Sequence, residues 1–270
     1  MLRVAKDPES QRLSRVGTIN LKGQCVWLTG ASSGIGEALA YELARRGARV
    51  AITARRGEVL DQIVSKIRAN GGEAHSFPGD VLNLEEMKSL VDAIESKVGP
   101  IDVAIPNAGT HLFTQPEQFD SSEYLSIMQL NFGGVLHCLE AVIPRMLQRG
   151  RGTLAPVASL AGYRGLPRAA AYGASKSALI HFLESIRFHL KPKGLTISIV
   201  NPGFVKTPLT DKNDFYMPFL VSSEKAAKII CNGIERGKRT IAFPIPFSWI
   251  VGLGKFLPAP VYEKIVNQLW

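Results

Sequence analysis

The sequence predicts an α/β domain, a doubly wound parallel sheet of about seven strands with helices on both faces. Three observations predict it. Short apolar, β-prone runs alternate with helical runs from residue 24 to residue 243 without a break. The segment Thr29-Gly30-Ala31-Ser32-Ser33-Gly34-Ile35-Gly36 places glycines where the first strand turns into the first helix. Gly30, Asp80, Asn107, Ser159 and Asn201-Pro202-Gly203 all fall at or just past predicted strand ends. Ligands bind along that edge of such sheets.

The elements follow in order. Residues 24–29, QCVWLT, read as a buried strand. From Gly34 the residues Ile35, Ala38, Leu39, Tyr41 and Leu43 recur at helical spacing, ending at Arg45 and Arg46 with Gly47 as C-cap. Residues 49–53 form a second strand and 57–69 a helix. Residues 73–77 form a third strand, then 84–98 a helix capped by Asn83. The fourth strand is 101–107, followed by a long helical region over 120–149, adjusted at Pro144. Residues 153–158 give the fifth strand, 168–190 a long helix, 195–200 the sixth strand and 239–243 a seventh. No repeat or linker marks a second domain. Residues 1–20, charged and without an apolar core, read as a mobile arm rather than a signal peptide. The catalytic domain is expected over 21–243 and an apolar extension over 244–270.

Composition narrows the class. With 46% hydrophobic and 20% charged residues in 270, the chain can bury a sizeable core. Cys25, Cys138 and Cys231 have no paired spacing, which disfavours disulfides and fits a reducing, cytoplasmic setting. His75, His111, His137, His181 and His189 have no ligand spacing, so no metal is implied. The net charge of +9 is dispersed and comes without a nucleic-acid signature, so it reads as a solvated basic surface. The uncharged tract Thr240 to Gly254 is too short to span a bilayer, and Pro244 and Pro246 interrupt it.

The glycines have a physical use. At a strand-to-helix turn, free backbone N–H groups and the helix dipole favour an anion. Gly30 permits the tight turn, while Gly34 and Gly36 let a pyrophosphate approach and helix pack on sheet. The spacing is G-x-x-x-G-x-G rather than G-x-G-x-x-G, and glycines alone are weak evidence. Tyr172 and Lys176, four residues apart on a predicted helix, share a face. A phenol is a poor base near neutrality. A nearby ammonium would lower its pKa and fit it for proton transfer. Asn131 followed by Gly133-Gly134 is a poor helix interior, and a local distortion there is expected.

TGASSGIG, the GDV at 79–81, NAG at 107–109, Asn131, Ser159, YGASK at 172–176 and NPG at 201–203 together resemble the short-chain dehydrogenase/reductases in their one-domain form. The resemblance covers roughly residues 20–243. It implies a Rossmann-type sheet, a nicotinamide cofactor, and interconversion of alcohols and carbonyls. It implies catalytic roles for Asn131, Ser159, Tyr172 and Lys176, with Ser159 holding the substrate oxygen and Lys176 also holding the nicotinamide ribose. Ser159 precedes Tyr172 by thirteen residues, as in the family. The implied cofactor contacts are Gly30, Ser32, Ser33, Gly34, Ile35, Gly36, Arg55, Arg56, Asp80, Val81, Asn107, Ala108, Gly109, Tyr172, Lys176, Pro202, Gly203, Val205 and Thr207. Asp80 is similar to the family's adenine-binding aspartate, and Thr207 to the threonine that meets the nicotinamide carboxamide. Pro156 before Ser159 and Pro106 before Asn107 depart from the pattern; Pro156 should cost a ladder bond or bend the strand.

Ala54-Arg55-Arg56 ends the second strand, where an acid would select NAD. A guanidinium there favours a 2′-phosphate, hence NADP(H). His111, Leu112, Phe113, Leu160 and Tyr163, with Phe204, Val205, Leu209, Phe215, Tyr216, Met217, Phe219 and Leu220, point to an apolar pocket for a bulky or lipid-like carbonyl or alcohol. A nucleotide-sugar epimerase shares the glycine turn and YxxxK, but usually carries a separate C-terminal domain. A non-catalytic NADPH sensor on this fold is the third class. A homo-oligomer is expected, and the apolar tail Trp249, Ile250, Val251, Leu253, Phe256 and Leu257 should meet the chain's own core, the pocket rim, a partner subunit or a membrane surface.

Overall fold

Continuous apolar runs become buried parallel strands. In the computed structural model, which describes residues 18–114 and 116–269, β1 (Cys25–Thr29), β2 (Arg49–Thr53), β3 (Glu73–Ser76), β4 (Ile101–Ile105), β5 (Gly152–Leu154) and β6 (Leu195–Ile197) form one sheet. Its order is β3-β2-β1-β4-β5-β6, every pair parallel. The order reverses between β1 and β4, which opens a crevice at their carboxyl ends. Most of the N-terminal arm expected over 1–20 lies outside the described residues.

The central sheet has six strands rather than about seven. The stretch expected as one strand over 195–200 breaks at Ser198. Its second half, β7 (Ile199–Pro202), pairs in parallel with β10 (Thr240–Phe243). A small pair, β8 (Val205–Lys206) and β9 (Val221–Ser222), lies between them in sequence. Pro156 acts as expected on strand β5, which stops at Leu154. Pairing resumes beyond the proline, where Val157 bridges Val200 and Ala158 N–H donates to the Val200 carbonyl at 2.7 Å.

Helices cover both faces: α1 (Gly34–Arg45), α2 (Gly57–Ala69), α3 (Leu84–Lys97), α4 (Ser121–Met128), α5 (Gly134–Arg149), α6 (Ala170–Leu190), α7 (Ser223–Glu235), α8 (Ile245–Gly254) and α9 (Ala259–Leu269). Strand pleating sends neighbours to opposite cores. Val26 and Leu28 pack with Leu39, Val50, Ile63 and Ile230, whereas Cys25 and Trp27 pack with Met87, Ile94, Val142 and Leu183. Each fully buried aliphatic side chain contributes about 1.5–3 kcal/mol.

Helix α1 ends as its sequence directs, one residue earlier than expected. Arg46 is the cap and Gly47 follows with φ +78°. Gly47 N–H donates to Ala44 O at 2.8 Å and Ala48 N–H to Leu43 O at 3.1 Å, closing a Schellman motif. The helical stretch over 120–149 breaks not at Pro144, which sits inside α5, but at a π-helical turn over Gln129–Gly133. Helix α7, unforeseen in the sequence, packs on α1, where Arg46 bridges Glu42 and Glu235 at 2.8 and 2.5 Å.

Candidate active site

The crevice between β1 and β4 opens into a cleft of about 490 Å³. Gly30 follows β1 with φ +66°, a conformation side chains resist. A Cβ on Gly36 would stand 2.1 Å from the Gly30 carbonyl oxygen, so helix and turn meet here only through glycine. Ser33 caps α1 without a side-chain cap bond, leaving first-turn N–H groups to other acceptors. Asn107 braces the turn: its Nδ2 donates to Thr29 O at 3.0 Å and to Gly30 O at 3.2 Å. Thr29 Oγ1 accepts from the N–H groups of Asn107 and Ala108 at 3.1 and 3.2 Å.

Every residue the sequence assigned to cofactor contact lines this cleft. Gly30, Ser32, Ser33, Gly34, Ile35, Gly36, Arg55 and Arg56 form one side. Asp80, Val81, Asn107, Ala108 and Gly109 follow along the strand ends. Tyr172, Lys176, Pro202, Gly203, Val205 and Thr207 close the far end. Lys212, Thr110 and Leu130 also line it; no motif marked them.

The two arginines divide their work. Arg56 Nη2 donates to Ser32 O at 3.1 Å and Ser32 Oγ at 2.9 Å, tying the end of β2 to the glycine turn. Arg55 is exposed on the cleft and makes no hydrogen bond or ion pair among the described residues. Asp80 accepts from Leu82 N–H at 3.0 Å, so one carboxylate oxygen already serves a turn. Thr207 Cγ2 lies 3.1 Å from where a Gly34 Cβ would stand, joining the NPG loop to the glycine turn.

Helix α6 carries Tyr172 and Lys176 on one face. The lysine is buried, and Nζ donates to Val157 O at 2.9 Å. Nζ lies 5.7 Å from the Tyr172 ring centroid. Burial pulls the Lys176 pKa down to about 8. Burial raises the Tyr172 phenol above its ordinary value, while a Ser159 hydrogen bond pulls it back. Burial is thus the larger influence on the phenol here, while the lowering expected from the ammonium together with a positively charged nicotinamide concerns the cofactor-bound site. Ser159 Oγ also accepts from Ala161 N–H at 3.1 Å, so this serine both caps a short turn and reaches the tyrosine.

Asn131 does not line the cleft. It sits fully buried in the π-helical turn. Its Oδ1 accepts from Thr110 N–H at 2.8 Å, and its Nδ2 donates to Thr110 O at 2.9 Å and Ser175 Oγ at 3.0 Å. Asn131 thus fastens the loop after NAG to α6. Such π turns often accompany functional sites.

The buried ammonium predicts a stability effect. An unfolded lysine titrates near 10.5 and the folded one near 8, so burial costs about 3 kcal/mol wherever both states would be protonated. Between pH 8 and 10.5 the unfolded chain binds the extra proton, so wild-type stability recovers as pH rises through that window. Lys176→Met should therefore unfold about 2 kcal/mol later than wild type at pH 7, after allowing for the lost bond to Val157. The difference should vanish near pH 10 and reverse by up to about 1 kcal/mol above pH 10.5, where only the lost bond remains. Urea unfolding of both proteins at several pH values checks this; a difference constant with pH would refute the buried-charge account.

A second cavity, about 120 Å³, adjoins the cleft. His111, Phe113, Leu160, Phe204, Leu209 and Phe215 line it, as the sequence led one to expect. Ser159 and Tyr172 line both cavities. Leu112, Tyr216, Phe219 and Leu220 are exposed instead, and Tyr163 accepts from Asn201 Nδ2 at 3.1 Å. Leu166, Pro167, Arg168, Asn213 and Phe247 are among the wall residues missed. Arg168 has φ +59°, lies 4.5 Å over Phe113 and pairs with Asp214 at 2.7 Å. His111 stands edge-on to Tyr172 with ring centroids 4.9 Å apart. Burial, and then the charge of Arg168, lower its pKa, keeping the imidazole neutral at pH 7. The three cysteines are buried free thiols with pKa pushed up to about 12, far from nucleophilic.

Comparison with known proteins agrees with this geometry. A family model described as short chain dehydrogenase matches residues 24–215. An uncharacterized oxidoreductase of Myxococcus xanthus is 36% identical over 242 residues, 90% of this chain and 96% of its own. The 11-beta-hydroxysteroid dehydrogenase-like 2 of Arabidopsis thaliana is 36% identical over 259 residues, 93% of this chain and 81% of its own. The crystal structure of an actinorhodin polyketide ketoreductase variant with NADPH superposes with a TM-score of 0.74 at 28% identity, covering 82% of this chain and 94% of that one. With its Rossmann-like parallel sheet and this match over most of its length, the chain belongs to the short-chain dehydrogenase family of oxidoreductases.

Proposed function

We propose that this oxidoreductase interconverts a carbonyl and an alcohol with NADP(H), on a bulky apolar substrate. One observation carries the reading: Ser159 and Tyr172 stand where the glycine-lined cleft meets the smaller apolar cavity. A substrate oxygen held by these two hydroxyls would have its carbon skeleton among Phe113, Phe204 and Phe215 and its reacting carbon towards the cleft.

The cleft fits a dinucleotide: glycines clear the turn, an uncapped helix start offers donors, and Arg55 offers a free guanidinium at the end of β2. Bound there, the cofactor supplies or accepts the hydride. The protein's part is orientation and the proton. Ser159 Oγ donates a hydrogen bond to the carbonyl oxygen and polarises it. Tyr172, kept protonated at neutral pH by burial, gives its proton to the oxygen as it becomes an alkoxide. Lys176 holds positive charge beside the resulting phenolate. The form of Tyr172 ready at neutral pH is therefore the one that reduction uses. Asn131 keeps Thr110 and the start of α6 in register. The carbonyl chemistry in the names of the hydroxysteroid dehydrogenase-like relative and the ketoreductase supports this reading, as does the NADPH of the latter.

The test is NADPH oxidation against a panel of ketones and aldehydes graded in size and polarity. Bulky apolar ketones should give the highest kcat/KM. Tight NADPH binding with no turnover on any carbonyl would instead describe a sensor.

A further inference from the structure

The tail presents two faces with different neighbours. On α8, Phe247 and Val251 line the apolar cavity, while Ser248 and Gly254 are buried. Phe247 also stacks on Phe204 with centroids 5.6 Å apart. The opposite face holds Ile245, Trp249, Ile250 and Leu253, continued by Phe256 just past the helix end. These side chains are 60% to 85% exposed. Helix α8 contains no charged residue. A helix apolar all round belongs inside a protein core or in lipid, yet half of this one is bare.

Its position is fixed rather than loose. Arg164 Nη1 donates to the carbonyls of Gly254 and Leu257 at 2.5 and 2.8 Å. The same guanidinium lies 3.9 Å over the Tyr262 ring, and Tyr262 OH donates to Gly165 O at 2.7 Å. The bare face is thus held outward by bonds on its inner side. Val261 and Ile265 of α9 extend the exposed apolar surface.

We infer that this face docks on the surface of a lipid bilayer and sets the apolar cavity at the membrane. Two observations favour lipid over a second copy of the chain, and a third says how the helix would lie. Among its side chains the outer face offers one hydrogen-bonding group, the Trp249 indole N–H, whereas protein interfaces carry about one hydrogen bond per 100–200 Å². Trp249 and Phe256 with exposed Lys264 have the composition of an interfacial anchor, and the chain's net charge of +9 suits an anionic leaflet. At ten residues α8 is about 15 Å long, half the thickness of a hydrocarbon core, so it lies in the interface rather than crossing it. If the cavity holds the substrate, as proposed above, that substrate is a membrane-partitioned carbonyl or alcohol, since the helix that walls the cavity also touches lipid.

Co-sedimentation of the full chain with phosphatidylcholine vesicles, with and without phosphatidylserine, tests the docking without recourse to turnover. Failure here therefore leaves the catalytic reading standing. The chain should bind, more strongly with phosphatidylserine. The W249E and L253E variants, both at exposed positions, should keep the wild-type circular dichroism and Tm, yet lose about tenfold or more in vesicle affinity each. K264E should weaken binding only to the anionic vesicles. Wild type that binds neither vesicle, or variants that bind as well as wild type, would overturn the inference. So would a wild-type dimer that W249E converts to monomer, because the face would then belong to a second copy.

Discussion

Tyr172→Phe should retain NADPH binding within about threefold of wild type and lose on the order of a thousandfold in kcat. The ring survives the substitution, so the edge contact with His111 at 4.9 Å and the packing of α6 survive with it. Only the hydroxyl is lost. That hydroxyl is the group shared with Ser159 where the two cavities meet, and no other side chain there can replace it. His111 is neutral and edge-on to the ring, Lys176 is committed to Val157 O, and Ser159 is a far weaker acid than a phenol. Fluorescence titration of NADPH and steady-state rates on the best ketone separate binding from chemistry. Substantial turnover by the variant would show that the proton comes from elsewhere.

Arg55→Asp should turn a preference for NADPH into one for NADH. Arg55 spends its charge on nothing within the described chain, so it is available to a 2′-phosphate. Losing a charge-assisted contact of about 1.5–3 kcal/mol weakens NADPH by roughly 10- to 100-fold. A carboxylate adds repulsion towards the phosphate and an acceptor for a ribose 2′-OH. Arg56→Asp should behave differently, weakening both cofactors, since Arg56 holds Ser32 of the glycine turn. Dissociation constants for NADPH and NADH with wild type and both variants decide this. Equal wild-type affinities would remove Arg55 from the specificity argument.

Much of the site was legible because its residues sit at the ends of strands. Burial and β-propensity located the strands, and Gly30, Asp80, Asn107, Ser159 and Pro202 followed from where the strands stop. The distortion at Asn131 was legible for a local reason: asparagine and two glycines make a poor helix. Its side-chain partners were not, because Thr110 and Ser175 approach from distant parts of the chain. The pull of burial on Tyr172 was not legible, since sequence shows a lysine four residues away but not how completely the pair is desolvated. The stretch over 195–200 concealed a break at Ser198, where a uniform β pattern serves two sheets. Helix α8 was hardest. An all-apolar run such as α8 has no periodicity to reveal which face turns inward.

The Arg164 clamp bears on how this protein is handled at the bench. Residues 247–270 look like a greasy appendage that could be trimmed for better expression. Arg164 lies five residues after Ser159, and it holds the carbonyls of Gly254 and Leu257. Cutting the chain after Pro246 would strip Phe247 and Val251 from the cavity wall and leave a guanidinium without its acceptors beside the turn that Ser159 caps. A shortened protein would be easier to keep in solution, yet a substrate screen run on it would sample a pocket this chain never presents.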